Sequence, residues 1–253
     1  MAAEAEEIKR THSAACAACP YTVDDCHTCR YNGKEFHDLR YRNEFLTCIP
    51  SCPKYEAYIA QKRMNRILAQ SNMGARFKGR TFETFRATKE TQEAYNAAIR
   101  FCHDYEAGNP RGLMLCGGYG TGKTHLAAAI VQRLAENGIV TLFLSVPELF
   151  ARLRASIDNK TINAEEIVTE AMNAPVLVLD DLGAEKTSQW TQEHLYRIIN
   201  HRYEHLLPIV ITTNCTGCSL VRSVGERNLS RLAEITGAPV MIQASDWRMK
   251  EVG

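Results

Sequence analysis

A glycine-rich run at residues 117–124 is the part of the sequence best suited to chemistry. It reads Gly-Gly-Tyr-Gly-Thr-Gly-Lys-Thr and fits the G-x-x-x-x-G-K-[ST] pattern of a phosphate-binding loop, or P-loop. Glycines let the backbone curl around an anion, so that several N–H groups point inward. The Lys123 ammonium can reach the β- and γ-phosphates of a nucleotide, and the Thr124 hydroxyl can ligate Mg²⁺. The run therefore predicts a nucleoside triphosphate site.

Two apolar runs further along the chain end in polar residues that would complete such a site. Residues 176–179 lead into Asp180 and Asp181, which is the Walker B arrangement. Asp180 would hold Mg²⁺, and Asp181 would act as the general base on the attacking water. The run at 207–213 ends at Asn214, whose amide could hydrogen-bond the γ-phosphate or the water. Asparagine is also common at strand ends because it caps turns. Asn214 could therefore contact the nucleotide or serve only as a turn cap.

Predicted strands and helices would position these residues. The apolar residues 112–116 predict a buried strand before the P-loop, and residues 125–131 predict the start of a helix after it. The helix N-terminus adds unpaired donors and a partial positive charge to the loop. Further predicted strands alternate with predicted helices along the rest of the chain. The alternation predicts an α/β fold, with a parallel sheet flanked by helices on both faces.

Composition narrows the class of protein. With 253 residues, 45% of them hydrophobic, the chain can form one α/β domain and a small appendage, and it is not a disordered chain. The net charge of +1 means that any nucleic-acid affinity must come from local patches. The acidic start has no secretory signal, and no apolar stretch approaches the roughly 20 residues of a membrane helix. We therefore expect a cytoplasmic protein without a membrane partner.

Cysteines are concentrated near the start of the chain, where six of the ten lie in the first 52 residues. In a reducing compartment, paired thiols in tight turns more often bind Zn²⁺ than form disulfides. An iron–sulfur cluster would also suit sulfur ligands, and free structural cysteines are the third possibility. The first-choice zinc ligands are Cys26, Cys29, Cys48 and Cys52. Alternatively, Cys16 and Cys19 could replace one of these pairs, or they could join a second site with His27 or His37.

The predicted domain organisation has three parts: a cysteine-rich zinc-binding module at 1–53, a basic helical linker at 54–80 and a nucleotide-binding domain at 81–253. The linker holds six basic residues and no acid between positions 62 and 80. These cations, with Phe77 and Phe82 nearby, could bind nucleic-acid phosphates and bases. The alternative is a solvated helix whose aromatic residues pack against the next domain.

Several stretches together resemble the AAA+ ATPases of the DnaC/DnaI helicase-loader family and the related IstB transposition ATPases, over residues 60–253. They are the motifs at 118–130, 178–183, 212–214, 225–232 and 246–248. The cysteine module is a DnaI-like feature. The resemblance implies ATP and Mg²⁺ as cofactors and an AAA+ fold. The implied nucleotide-binding residues are Gly117, Gly118, Tyr119, Gly120, Thr121, Gly122, Lys123, Thr124 and His125.

The resemblance also implies roles for residues outside the P-loop. Asn214 matches sensor 1, and Arg227 matches the arginine finger that acts in trans on a neighbouring subunit's ATP, with Arg231 as the alternative. Arg248 occupies a sensor-2-like place. The two helices predicted at 147–173 match an insertion that lines a single-stranded DNA channel. The candidate phosphate contacts of that insertion are Arg152, Arg154 and Lys160.

The function implied is ATP-dependent loading of a hexameric replicative helicase onto single-stranded DNA. Self-association would complete each ATP site, and ATP binding and hydrolysis would switch assembly and release. Many AAA+ proteins have Asp-Glu where this chain has Asp180 and Asp181; the shorter acid leaves the water farther away, so slow hydrolysis is expected. The alternatives are an IstB-like transposition helper and a zinc adaptor with a vestigial ATP site.

Overall fold

The computed structural model describes residues 53–109, 111–158, 163–184 and 188–250. The compact unit treated below begins at Met64. The predicted zinc ligands between positions 16 and 52 lie outside the described residues, as does Lys160. The zinc site therefore stays a prediction.

Strands and helices alternate along the described chain. Their order is α1 (Pro53–Gln70), a 3₁₀ turn (Ala75–Phe77), α2 (Gln92–Glu106), β1 (Leu113–Gly117), α3 (Lys123–Glu136), β2 (Thr141–Ser145), α4 (Val146–Asp158), α5 (Ala164–Asn173), β3 (Val176–Asp180), α6 (Gln189–Glu204), β4 (Ile209–Thr213), α7 (Cys218–Val224), α8 (Glu226–Thr236), β5 (Val240–Ile242) and α9 (Trp247–Lys250). None of the described helices has the length and hydrophobicity needed to cross a membrane.

The described strands form one parallel sheet in the order β2-β3-β4-β1-β5. Leu113 of β1 lies opposite Val210 of β4, and Leu179 of β3 lies opposite Ile211 of the same strand. Because all strands run the same way, their carboxyl ends share one edge of the sheet. The segments that follow β1, β3 and β4 therefore meet at that edge, and the predicted α/β fold class is confirmed.

Both faces of the sheet are buried. In β3, Leu177 and Leu179 belong to one core cluster, whereas Val176 and Val178 belong to the other. Helices α4–α8 cover the first face, and α2 and α3 cover the second. Burial on both faces explains why the strands read as continuous apolar runs rather than as alternating patterns.

The aromatic residues just before α2 pack against the nucleotide-binding unit. The Phe77 ring centroid lies 5.8 Å from that of Phe143. Phe82 and Phe85 both pack on Tyr95, with centroid distances of 5.7 and 5.8 Å. Of the two predictions for Phe77 and Phe82, the structure shows the packing against the domain.

One helix prediction is wrong in its limits. The sequence pattern predicts a single short helix over residues 224–232, but the structure has two helices that meet at Gly225. Gly225 has φ of +86°, which a continuous right-handed helix does not allow. The first of the two, α7, was not predicted, although Leu220 and Val224 are four residues apart and both are buried.

Candidate nucleotide-binding site

A cleft of about 890 Å³ opens at the carboxyl edge of the sheet. It has the size of a small-molecule site. The P-loop residues 119–125 form one wall, and the ends of β3 and β4 form the floor. The remaining lining comes from segments 76–91 and 243–247. Neither segment is predicted from the sequence to contact the nucleotide.

The P-loop joins β1 to α3 in the predicted strand–loop–helix arrangement. Gly120 and Gly122 have φ of +65° and +93°. A Cβ on Gly120 would stand 1.6 Å from the Asp246 carboxylate, and one on Gly122 would stand 2.7 Å from the Phe85 ring. Glycine is therefore required at both positions, by the backbone conformation and by the close neighbours.

Lys123 lies inside the curl of the loop, with 4% of its surface exposed. Its ammonium donates hydrogen bonds to the carbonyls of Gly117 at 2.9 Å and Gly118 at 2.6 Å. These two glycines lie behind the lining of the cleft, whereas Tyr119 stands at its mouth and is 74% exposed. The ammonium is thus held at the place where the loop would receive phosphate.

Asp180 ends β3 and is 4% exposed. The Thr212 hydroxyl donates to its Oδ1 at 2.6 Å, and the Thr124 side chain also hydrogen-bonds the carboxyl group. Burial raises the pKa of Asp180 to about 6, and the neighbouring Asp181 adds to that rise. The two hydroxyl groups and Lys123 act in the opposite direction and favour the ionised carboxylate.

The oxygens at this point fit a magnesium ion that arrives with a nucleotide. Mg²⁺ commonly takes one or two protein oxygens and completes its octahedron with phosphates and water. Asp180 and Thr124 supply such oxygens side by side. In the described part of the chain, no three His, Cys, Asp or Glu side chains come together as a metal-binding group. The site therefore suits Mg²⁺–nucleotide and not a metal held by protein ligands alone.

Asp181 and Asn214 lie in the same cleft. Asp181 has φ of +57°, which is uncommon for a non-glycine residue, and its N–H donates to Thr212 Oγ1 at 3.0 Å. Asn214 Oδ1 is buried and has no hydrogen-bond partner among the described residues. Because buried polar atoms are nearly always paired, this oxygen is suited to accept a hydrogen bond from a water beside a bound nucleotide.

His125 connects the P-loop helix to the segment before α2. Its ring nitrogen Nε2 lies 2.9 Å from the Thr81 carbonyl and 3.2 Å from Thr84 Oγ1. Burial lowers the pKa of His125, and Arg80 nearby lowers it further. The structure thus places this predicted nucleotide-binding residue in the cleft lining, with its imidazole engaged by residues 81–84.

Residues after β5 close another side of the cleft. The backbone N–H of Trp247 donates to the Gly120 carbonyl at 3.1 Å, and the Trp247 side chain lines the cleft. Arg248 follows in α9, but its side chain lies outside the described residues. The Asp-Trp-Arg pattern at 246–248 drew attention to this segment only through the family resemblance. Nothing local in the sequence predicts that these residues contact the P-loop, which lies about 120 residues earlier in the chain.

The two candidate finger arginines on α8 differ in their contacts. The Arg227 side chain is exposed and makes no hydrogen bond or ion pair within the described ranges. Arg231 donates from Nε to Asn200 Oδ1 at 2.8 Å, and its guanidinium lies 5.0 Å from the Tyr196 ring centroid. Arg231 is therefore engaged in its own domain, whereas Arg227 is available to another molecule.

The arginines predicted to contact DNA lie on α4. Arg152 is half-buried, and Arg154 is exposed with its guanidinium 5.6 Å from the Trp190 ring centroid. The contact with Trp190 leaves the charge of Arg154 at the surface.

Comparison with known proteins finds similarity to an ATP-binding protein family and to two helicase loaders. The profile of the family described as IstB-like ATP binding protein matches residues 57–230. The replicative helicase loader DnaI of Bacillus subtilis (strain 168) is 30% identical over 166 residues, covering 64% of this chain and 53% of that protein. The replicative helicase loader DnaC of Escherichia coli (strain K12) is 24% identical over 192 residues, covering 76% of this chain and 78% of that protein.

The fold is shared as well. A crystal structure of the DnaC helicase loader superposes with a TM-score of 0.60 at 29% identity, covering 67% of this chain and 100% of that chain. The alignment with DnaI spans about half of that protein's length. The range that the family profile matches includes the positions of the P-loop, Asp180, Asp181 and Asn214.

Proposed function

The chain belongs to the IstB-like ATP-binding protein family, and we propose that it is an ATP-dependent loader of a replicative DNA helicase. One observation carries the proposal. A single cleft brings together Lys123, Asp180, Asp181 and Asn214, in a chain similar to two named helicase loaders. Its fold is that of an AAA+ P-loop ATPase, and ATP and Mg²⁺ are the cofactors.

The cleft residues would divide the binding and hydrolysis of ATP among them. The P-loop amides and Lys123 hold the phosphates, while Thr124 and Asp180 bind Mg²⁺. Asp181 and Asn214 orient the attacking water, and Asp181 accepts its proton. The ion supplies charge neutralisation on the phosphates when it is bound. Slow turnover is consistent with an aspartate in place of the longer glutamate.

A second copy of the chain would complete the site. Arg227 supplies the guanidinium that stabilises charge on a neighbour's γ-phosphate, as its exposure and lack of contacts support. Arg231 holds α8 against α6 through Asn200. Turnover would then rise with protein concentration, because a lone molecule lacks this charge. ATP binding would drive self-association, and hydrolysis would release the helicase.

The partners are proposed to meet different parts of the chain. Helices α4 and α5, with Arg152 and Arg154, would hold single-stranded DNA. The N-terminal residues 1–53 would bind Zn²⁺ through Cys26, Cys29, Cys48 and Cys52 and contact the helicase. Analysis of tag-free protein should then find about one Zn²⁺ per chain. Protein purified without any bound metal would contradict the zinc proposal.

The loading proposal is tested by co-purification with a hexameric replicative helicase. The full chain should retain the helicase in the presence of Mg-ATP and transfer it to single-stranded DNA. The Lys123→Ala variant should fail to transfer it, because phosphate binding is lost. Failure of the wild-type chain to bind any replicative helicase, with or without Mg-ATP, would contradict the proposal.

A second candidate follows from the family match itself, because the profile is that of IstB-like proteins. Such a protein would assist a transposase on duplex DNA. The same co-purification decides between the two candidates. Capture of a transposase and duplex DNA, without the helicase, would favour the transposition helper.

A further inference from the structure

Three arginines line the nucleotide cleft in addition to the P-loop. Arg76, Arg80 and Arg86 all line it, and all three are exposed. Their side chains make no ion pair or hydrogen bond with any residue that the structure describes. Elsewhere in the same unit, Arg133 and Arg197 are paired with Glu136 and Glu165. The three cleft arginines are therefore cations without a counterion among the described residues.

The segment that carries the arginines is fixed to the P-loop helix. Gln132 on α3 is 7% exposed and donates to the carbonyls of Phe77 at 3.3 Å and Arg80 at 2.8 Å. About two turns earlier on the same helix, Nε2 of His125 lies 2.9 Å from the Thr81 carbonyl. These bonds attach the backbone beside Arg76 and Arg80 to the helix that begins at the phosphate-binding loop.

Arg86 is held at the cleft by its neighbour Phe85. The Phe85 ring packs edge-on against His125, with ring centroids 5.1 Å apart, and closely approaches Gly122 of the P-loop. Phe85 also stacks on Tyr95 of α2. The start of the Arg86 side chain is thus placed next to the P-loop by packing that reaches both α2 and α3.

The charges of the other groups in the cleft indicate a function for these arginines. Lys123 faces two acids in the cleft, Asp180 and Asp181, and Glu90 lines the rim. Mg-ATP would add about two negative charges to a site that is already acidic without the arginines. We propose that Arg76, Arg80 and Arg86 form an anion-binding wall that contacts the nucleotide's phosphates within the same molecule. The proposal rests on the cleft being the ATP site of the proposed function.

The shape of the region favours a nucleotide over a nucleic-acid strand as the occupant. The three arginines lie in one concave cleft with the P-loop. Lys78 lies on the same segment and is exposed, but it does not line the cleft. A strand bound along the outer surface would use Lys78 together with the arginines. A nucleotide in the cleft would use the arginines and leave Lys78 without effect.

The test measures Mg-ATP and adenosine affinity by calorimetry for the full chain. Arg76→Gln, Arg80→Gln and Arg86→Gln should each weaken Mg-ATP binding by about five- to ten-fold, as expected for a charge-assisted contact that is partly open to water. The combined variant should lose more and show a smaller dependence on salt. Adenosine affinity should not change, and the matched control Lys78→Gln should bind Mg-ATP like the wild type.

Other results of these measurements would overturn the proposal or exclude a folding defect. Unchanged Mg-ATP affinity in the combined variant overturns the proposal, as does an equal loss of adenosine affinity. Loss of single-stranded DNA binding in Lys78→Gln and the arginine variants alike, with Mg-ATP affinity intact, assigns the patch to nucleic acid instead. Arg80→Lys should recover most of the affinity, which excludes a folding defect. If the wild-type chain and Lys123→Ala bind Mg-ATP equally, the proposed function itself fails.

Discussion

The Thr212 hydroxyl donates a 2.6 Å hydrogen bond to Oδ1 of Asp180. The Thr212 hydroxyl oxygen also accepts the N–H of Asp181 at 3.0 Å, and Thr212 is completely buried. One side chain of β4 therefore fixes the carboxylate that would bind Mg²⁺ and the left-handed backbone of the residue after it. Asn214 follows two residues later, just after the end of β4, so this strand brings three groups to the nucleotide cleft.

Replacing Thr212 with valine should impair turnover more than binding. Valine keeps the shape but removes the hydroxyl, so both Walker B acids lose their common partner. We expect kcat to fall by about ten-fold or more and the Mg²⁺ requirement to rise, with a KM for ATP close to that of the wild type. Thr212→Ser should recover most of the turnover. Steady-state kinetics at several Mg²⁺ concentrations would measure both effects.

Thr213→Val is the matched control for that variant. Thr213 is also completely buried, but its hydroxyl donates to the Leu182 carbonyl at 2.6 Å and accepts the N–H of Cys215. It contacts backbone groups and no carboxylate, so its loss should lower stability without changing the Mg²⁺ dependence. The account of Thr212 is wrong if both variants show the same kinetic defect.

Asp180→Asn should stabilise the protein while abolishing Mg²⁺-dependent turnover. The folded-state pKa of about 6 lies above the ordinary value of 3.8, so folding favours the protonated acid. This favourable contribution is fully present below about pH 4 and is lost as the pH rises through 6. At pH 7.5, without nucleotide, the amide should raise the free energy of unfolding by about 2 kcal/mol.

Urea unfolding at two pH values would check the prediction for Asp180. The gain in Asp180→Asn should shrink at pH 5, where the wild-type carboxyl is itself largely protonated. A variant that is less stable than the wild type at pH 7.5 would show that the hydrogen bonds to Asp180 outweigh the cost of its burial.

Arg202 should be a major source of stability far from the nucleotide. It is completely buried and has no acidic partner among the described residues, and burial lowers its pKa to about 10. Its guanidinium donates to four carbonyls near the C-terminus of α5 and before β4, those of Ala171, Met172, Ala174 and Pro208. Arg202→Met removes all four of these hydrogen bonds and should cost about 3 kcal/mol of unfolding free energy.

An exposed arginine on the same helix provides the comparison for Arg202. Arg197 pairs with Glu165 at the surface, so Arg197→Met should cost less than about 1 kcal/mol. Chemical denaturation would measure both variants, and Mg-ATP affinity should be unchanged in each. Equal losses of stability for the two variants would contradict the role assigned to Arg202.

The sheet and the P-loop site could be predicted because their signals are local. The apolar runs fix the strands, and the glycine spacing fixes the loop whatever the rest of the chain does. The wall formed by Arg76, Arg80 and Arg86 could not be predicted in this way. Its place depends on Gln132, more than fifty residues away, and the same residues fit an outer basic patch equally well from sequence alone.

Long-range contacts also explain the other residues that the sequence did not reveal. Thr212 looks like any β-branched residue of a strand, and its role depends on the register of β4 beside β3. Arg202 sits in a polar helical stretch where an arginine is ordinarily a surface residue. Gly225 is different: a glycine within a predicted helix is a local signal, and weighing it would have separated α7 from α8.

The central claim is that ATP binds beside Lys123 and that Arg227 of a second copy completes the site. Mixing two defective variants tests it most directly. Lys123→Ala and Arg227→Ala should each have little ATPase activity alone, and only the latter should still bind Mg-ATP. An equal mixture should recover roughly a quarter of wild-type turnover, since random neighbours pair an intact nucleotide site with an intact arginine in that proportion. A mixture that stays inactive, or Arg227→Ala protein with full turnover by itself, would contradict the account.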